Sequence, residues 1–96
     1  HLSAVIGNNF INHLVAICDS ICTEQNLPEE ALQPIISQTF ERLSNSAKAK
    51  DTQTGPALRG DTEVMERQVE LLSGHPEWQE IYKAMSSSIE KMYDVK

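Results

Sequence analysis

The sequence predicts an all-α domain of about four helices, and three observations predict it. Apolar residues recur at three- and four-residue intervals in four successive segments. Three of those segments open on a proline or an aspartate suited to a helix start. Alternating β-branched runs, paired hairpin glycines and internal repeats of roughly 20 to 50 residues are absent.

The first segment runs from Leu2 to about Gln25, with Val5, Ile6, Phe10, Ile11, Leu14, Val15, Ile17, Cys18, Ile21 and Cys22 at helical spacing. These cover more than half the circumference, which predicts a central helix packed on several sides. "NLPEE" breaks the pattern and starts a second helix, with Pro28 at its first position and Glu29 and Glu30 complementing its dipole. Leu32, Ile35, Ile36, Thr39, Phe40 and Leu43 form a one-sided stripe there. Pro34, lacking an amide donor, predicts a kink or restart near Gln33. The pattern fades in "SNSAKAK".

"GDTEVMERQVELLSG" predicts a third helix, capped by Asp61 and stopped by Gly74, with Val64, Met65, Val69, Leu71 and Leu72 as its apolar positions. "HPEWQEIYKAMSSSIEKMY" predicts a fourth, opening at Pro76 and carrying Trp78, Ile81, Tyr82, Met85, Ile89 and Met92 on one face.

The 96 residues, 40% hydrophobic, suffice for one core. A chain of this size buries only about 60 to 65% of its unfolded surface. Fourteen acidic against eight basic residues give a net charge of −6, and no window concentrates lysine and arginine. That argues against a phosphate-backbone footprint, so nucleic acid is not the expected partner. Asn8, Asn9, Asn12 and His13 interrupt the longest apolar run, well short of the roughly 20 residues a bilayer requires. A soluble, cytoplasmic domain is expected, without membrane association. The first residue is His1 and no leader pattern follows, which reads as an excised or processed piece.

Cys18 and Cys22, four apart, lie on one helix face, where a bridge would close too small a loop to stabilise anything. They read as small, buried apolar residues in a reducing compartment, and no second cysteine pair or histidine cluster completes a metal site.

Chemistry is sparse. Asn8 with Asn12, and Asn9 with His13, sit one turn apart and form an amide and imidazole patch on the first helix. An unpaired buried amide costs roughly 1 to 3 kcal/mol, so these groups are expected to face water, a partner, a ligand or hydrogen bonds to neighbouring helices. His1 and His75 join no constellation, and no "GxSxG", "HExxH" or "GxxxxGK" string occurs. No catalytic residue is assigned.

"DTQTGPALRGD", Asp51 to Asp61, is more constrained than a helix connection requires. Pro56 drives Gly55 out of the α region, and Gly60 gives a second flexible point before the cap at Asp61. Between them Ala57 and Leu58 can tuck inward while Arg59 projects. A guanidinium so held can bind a carboxylate or phosphate bidentately; alternatively it pairs with Asp51 or Asp61 and braces the loop. Asp61 and Glu63 already supply negative charge at the following helix start, against a simple anion site on its amides.

"TGPALRGD", with "HLSAVIGNNFINHL" and the helical pattern over essentially all 96 residues, resembles the C-terminal helical domain of Rossmann-like proteins described as NADP oxidoreductases. Their N-terminal half is similar to deazaflavin-dependent NADP reductases, and their second half to the C-terminal domain of 6-phosphogluconate dehydrogenase relatives. The resemblance implies that residues 1–96 form a substrate-cleft and dimerisation domain. It also implies that a nucleotide-binding Rossmann domain lies outside this chain and binds most of an NADP or NAD cofactor. The "GxGxxG" fingerprint is absent here, so the chain alone is not expected to bind a dinucleotide or to catalyse.

By the same resemblance Asn9 matches the helix asparagine that β-hydroxyacid dehydrogenases place near substrate, preceded by Asn8. Those enzymes carry a catalytic lysine four residues earlier, where this sequence has Val5. The usual lysine acid/base is therefore missing. Asn9, Asn12, Thr54, Arg59 and Asp61 are the expected substrate-facing residues, with a small anionic substrate, the chain's own Rossmann domain and a second copy as expected partners. The alternative is a non-catalytic oligomerisation or protein-interaction module.

Overall fold

The computed structural model describes residues 1–45 and 48–95. The expected fading of the second helix in "SNSAKAK" runs through Ser46 and Ala47, outside the described residues. All regular structure among the described residues is helical: α1 (Leu2–Ala4), a π-helical segment (Val5–Phe10), α2 (Ile11–Glu24), α3 (Glu29–Asn45), a 3₁₀ turn (Ala49–Thr52), α4 (Pro56–Arg59), α5 (Thr62–Leu71) and α6 (Pro76–Met92). The all-α expectation holds, with two short elements added to the four long helices. The chain divides into two compact units, residues 1–46 and 47–96.

In the first unit, α1, the π-helical segment and α2 follow one another without a break, and α2 packs on α3. α2 ends in a Schellman motif: Asn26 takes φ 56°, the Leu27 amide donates to Cys22 O at 2.8 Å and the Asn26 amide to Thr23 O at 3.2 Å. Asparagine suits that position because it tolerates the left-handed conformation. α3 begins at Glu29, one residue later than expected, with the Pro28 carbonyl accepting from the Ala31 amide.

Pro34 lies inside α3 without interrupting it, so the restart expected near Gln33 does not occur. The proline sits close to the helix start, where it removes a single donor, and the Glu30 side of that lost bond is exposed to water. The first helix is also less enclosed than its broad apolar surface predicts. None of its residues is buried, and Leu2, Ile6 and Phe10 are more than half exposed. Cys18 and Cys22 are free and half-buried.

In the second unit, α4 packs on both α5 and α6, and α5 on α6. Ala57 of α4, 4% exposed, is the only buried residue among those described. Gln79 on α6 donates to Val69 O on α5 at 2.8 Å, and the Tyr82 hydroxyl donates to Gln68 Oε1. Of the residues predicted to face inward, Val64, Met65, Val69, Leu72, Trp78, Ile81, Tyr82 and Ile89 are half-buried, whereas Leu71, Met85 and Met92 are exposed. α5 ends at Leu71, three residues before Gly74, and Gly74 does not take a positive φ. Turn bonds from Leu72 to Val69 O and Ser73 to Glu70 O end the helix instead. His75 stacks on Trp78 with ring centroids 3.8 Å apart at the start of α6.

Candidate functional site

The best-defined candidate is the turn from Gln53 to Asp61. Gln53 is extended, and Gly55 follows at φ 105°, ψ 171°, a region essentially confined to glycine. A Cβ at Gly55 would meet nothing within 4 Å, so backbone conformation alone demands glycine there. Pro56 then supplies the fixed φ of a first helical position.

α4 lasts one turn. Gly60, at φ 67°, ends it in a second Schellman motif: the Asp61 amide donates to Pro56 O at 2.9 Å and the Gly60 amide to Ala57 O at 3.3 Å. Asp61 belongs to two devices at once. Its amide closes α4, and its side-chain Oδ1 accepts from the Val64 amide at 3.3 Å to cap α5.

Most of "GPALRGD" thus has an internal role: Gly55 and Gly60 for their dihedrals, Pro56 for the helix start, Ala57 as the buried contact and Asp61 as the cap. Leu58 is half-buried. Arg59 is exposed, and among the described residues it makes no ion pair with Asp51 or Asp61. The bracing alternative for Arg59 therefore has no support in the geometry. Its guanidinium projects from a turn held at both ends. Thr54 is exposed beside it, its carbonyl accepting from Gln53 Nε2 at 3.1 Å.

The other candidates lie in the first unit. Asn8 and Asn9 sit in the π-helical segment and Asn12 and His13 at the start of α2, all exposed. Among the described residues none of these four side chains makes a hydrogen bond to protein. Water, a ligand or a partner, rather than another helix among the described residues, is left to satisfy them. The π register was not legible as such. Segments of this kind are rare and occur often at functional sites. A signal was nonetheless present in Gly7 followed by two asparagines, three poor helix formers in succession. Val5 opens the same segment and is 38% exposed.

Among the described residues no three His, Cys, Asp or Glu side chains converge as a metal site would require. No helix among them is long and apolar enough to cross a membrane. Among the described residues there is also no strand to carry a glycine-rich phosphate turn. Two perturbed groups lie outside the turn. Burial pushes the Cys18 thiol up, with Cys22 and Asp19 adding to the shift, and burial raises the Tyr82 phenol. A thiol raised in this way is a poor nucleophile.

A family described as domain of unknown function (DUF2520) matches residues 1–89. The chain belongs to the DUF2520 family. This DUF2520 chain is also similar to the crystal structure of a protein named "putative NADP oxidoreductase BF3122" from Bacteroides fragilis, at 34% identity and a TM-score of 0.89. The match covers 95% of the DUF2520 chain and 35% of the other, so the chain spans about a third of that protein's length. No curated protein matches. The resemblance carried by "TGPALRGD" and "HLSAVIGNNFINHL" agrees with this likeness, which extends over nearly the whole chain.

Proposed function

We propose that the chain is the helical, substrate-cleft and dimerising part of a larger NAD(P)-dependent oxidoreductase. In this reading Arg59, with Thr54 and Asp61 on the same turn, holds an anionic group of the substrate, and Asn9 and Asn12 are substrate-facing residues of the first unit. The observation that carries it is Arg59 itself. It is an exposed guanidinium without a protein anion among the described residues, on a turn whose Gly55, Pro56, Gly60 and Asp61 answer backbone requirements. Such a group pays little entropy on meeting a carboxylate or phosphate, because its backbone is already fixed.

NADP or NAD would be bound mainly by a separate Rossmann domain, where it would supply the hydride chemistry. The residues of this chain bind and orient. Amides such as Asn9 and Asn12 can hold a hydroxyl or carbonyl without changing charge. Asp61 contributes by fixing the start of α5, with Oδ1 engaged by the Val64 amide. Val5 cannot transfer a proton, so no acid/base role is assigned to the first helix.

The test is Arg59→Ala in the full-length protein. Loss of a charge-assisted, bidentate contact should lower kcat/KM by about 10- to 100-fold. The melting temperature should stay within about 2 °C, because an exposed, unpaired side chain contributes little stability. A lowered melting temperature with intact ligand binding would refute the role. A second reading, a non-catalytic interaction module, is favoured by the exposure of Leu2, Ile6 and Phe10; ligand binding unaffected by Arg59→Ala would favour it.

A further inference from the structure

The Arg59 turn is held differently at its two ends. Downstream, Gly60 and Asp61 join it to α5, and Ala57 is buried where α4 packs on α5 and α6. Upstream, residues 49–54 are exposed apart from half-buried Thr52, so little apolar burial fixes them. Their side-chain hydrogen bonds to one another are local, from Thr52 Oγ1 to Ala49 O at 2.9 Å and from Gln53 Nε2 to Thr54 O at 3.1 Å.

Among the described residues, one hydrogen bond ties this upstream arm to a distant element. It runs from the Tyr93 hydroxyl, at the end of α6, to the Lys50 carbonyl at 2.6 Å. The same ring lies under the Lys50 ammonium, 5.6 Å from the centroid, so Tyr93 grips one residue by backbone and by side chain. The end of α6 is itself fixed by a Schellman motif. There the Val95 amide donates to Glu90 O at 2.9 Å and the Asp94 amide to Lys91 O at 3.4 Å, with Asp94 at φ 53°. Only Gln53, in an extended conformation, separates the 3₁₀ turn from Thr54, so freedom in that turn becomes freedom of Thr54 and of the approach to Gly55.

We propose that Tyr93 is a positioning residue for the anion site on the Arg59 turn. By fixing Lys50 against α6 it holds Thr54 and the upstream arm where they meet the ligand together with Arg59. This rests on the ligand role proposed above for Arg59 and adds what keeps that site preorganised. Tyr93 itself touches no ligand. Without its hydroxyl the arm must be ordered as the ligand binds, and that ordering weakens binding.

The test is Tyr93→Phe in the full-length protein, which keeps the ring and removes only the hydroxyl. The probes are inorganic phosphate and, in parallel, acetate as the carboxylate, each titrated while the amides of residues 53–61 are followed by NMR. Anion bound elsewhere in the protein is then not counted. Tyr93→Phe should weaken the Kd at these amides by about 3- to 10-fold and lower the amide order parameters of residues 51–54. Arg59→Ala should weaken it by about tenfold or more, and adding Tyr93→Phe to Arg59→Ala should change it by less than about twofold, because nothing is left to position. A Kd unchanged in Tyr93→Phe while Arg59→Ala weakens binding would overturn the positioning role alone. Equal losses from Tyr93→Phe with and without Arg59 would also overturn it, since the hydroxyl would then act outside the site. Shifts at these amides that are absent with both anions, or untouched by Arg59→Ala, would overturn the anion reading on which it rests.

Discussion

The Tyr93 hydroxyl at the end of α6 donates to the Lys50 carbonyl at 2.6 Å, while the Lys50 ammonium lies 5.6 Å over the centroid of the same ring. One aromatic residue thereby holds the 3₁₀ turn that leads into "TGPALRGD". The tether runs from α6 to the segment just ahead of Gly55, so the orientation of the Arg59 turn depends on a residue near the chain's last helix end.

Tyr93→Phe should cost about 0.5 to 1.5 kcal/mol, the usual net value of one hydrogen bond. Lys50→Ala leaves that bond intact, because the acceptor is backbone, and should cost about 0.5 to 1 kcal/mol from the lost cation–π contact. Urea denaturation of the two single variants and the double measures both. Faster amide exchange over 49–52 in Tyr93→Phe alone would locate the effect; equal exchange in wild type and variant would contradict the tether.

The two glycines of the turn should respond differently from Gly74. Gly55→Ala forces a side chain to φ 105° and should destabilise by about 1 to 3 kcal/mol, although nothing crowds the new methyl. Gly60→Ala, at φ 67°, should cost about 1 to 2 kcal/mol. Gly74→Ala should be neutral or stabilise by up to about 1 kcal/mol, since it restricts the unfolded chain without straining the native one. Thermal melts of the three variants give the ranking, and a Gly74 variant as unstable as the Gly55 one would contradict the dihedral argument.

That contrast also marks what the sequence could convey. Gly55, Pro56, Gly60 and Asp61 were legible because each answers a local backbone demand that needs no knowledge of distant residues. Gly74 looked like the same kind of signal, yet the chain stops α5 earlier through ordinary turn bonds at Leu72 and Ser73. α4 read as a turn rather than a helix because a single turn leaves no periodicity to detect. Periodicity likewise reports that Ile35, Leu71, Met85 and Met92 are apolar, not whether anything covers them, and all four are exposed here. Of the candidate site, the projection of Arg59 followed from its flanking turns. The π-helical setting of Asn8 and Asn9 did not, since a single turn of i−5 bonding is too short to show a period of its own.

Stability should fall at alkaline pH for a reason visible in two residues. The Cys18 thiol and the Tyr82 phenol both titrate above their ordinary values of 9.0 and 10.0, chiefly because burial disfavours the charged form. Between each ordinary value and the raised folded one, the folded chain keeps a proton that the unfolded chain releases. Their contribution is therefore full below the ordinary values and is lost as pH rises through the folded ones. Urea midpoints measured from about pH 8 to about pH 11 should decline in wild type and decline less in Cys18→Ala and Tyr82→Phe. Identical slopes in all three proteins would rule these groups out as the cause.

Asp61 offers the sharpest separation of fold from function, because its cap and its charge can be removed independently. Asp61→Ala deletes the acceptor of the Val64 amide and should cost about 0.5 to 2 kcal/mol. Asp61→Asn keeps an acceptor of the same shape and should lose only about 0.3 to 1 kcal/mol, from the weaker interaction with the α5 dipole. If Asp61 serves the cleft only by holding the start of α5, turnover in the full-length protein should follow stability, with Asp61→Asn near wild type. If its second carboxylate oxygen touches the substrate, Asp61→Asn should raise KM well beyond its small stability loss. An anionic substrate held by Arg59 adds a further sign: removing the neighbouring negative charge should then tighten binding, and a KM lowered in Asp61→Asn but raised in Arg59→Ala would assign the anion contact to the guanidinium.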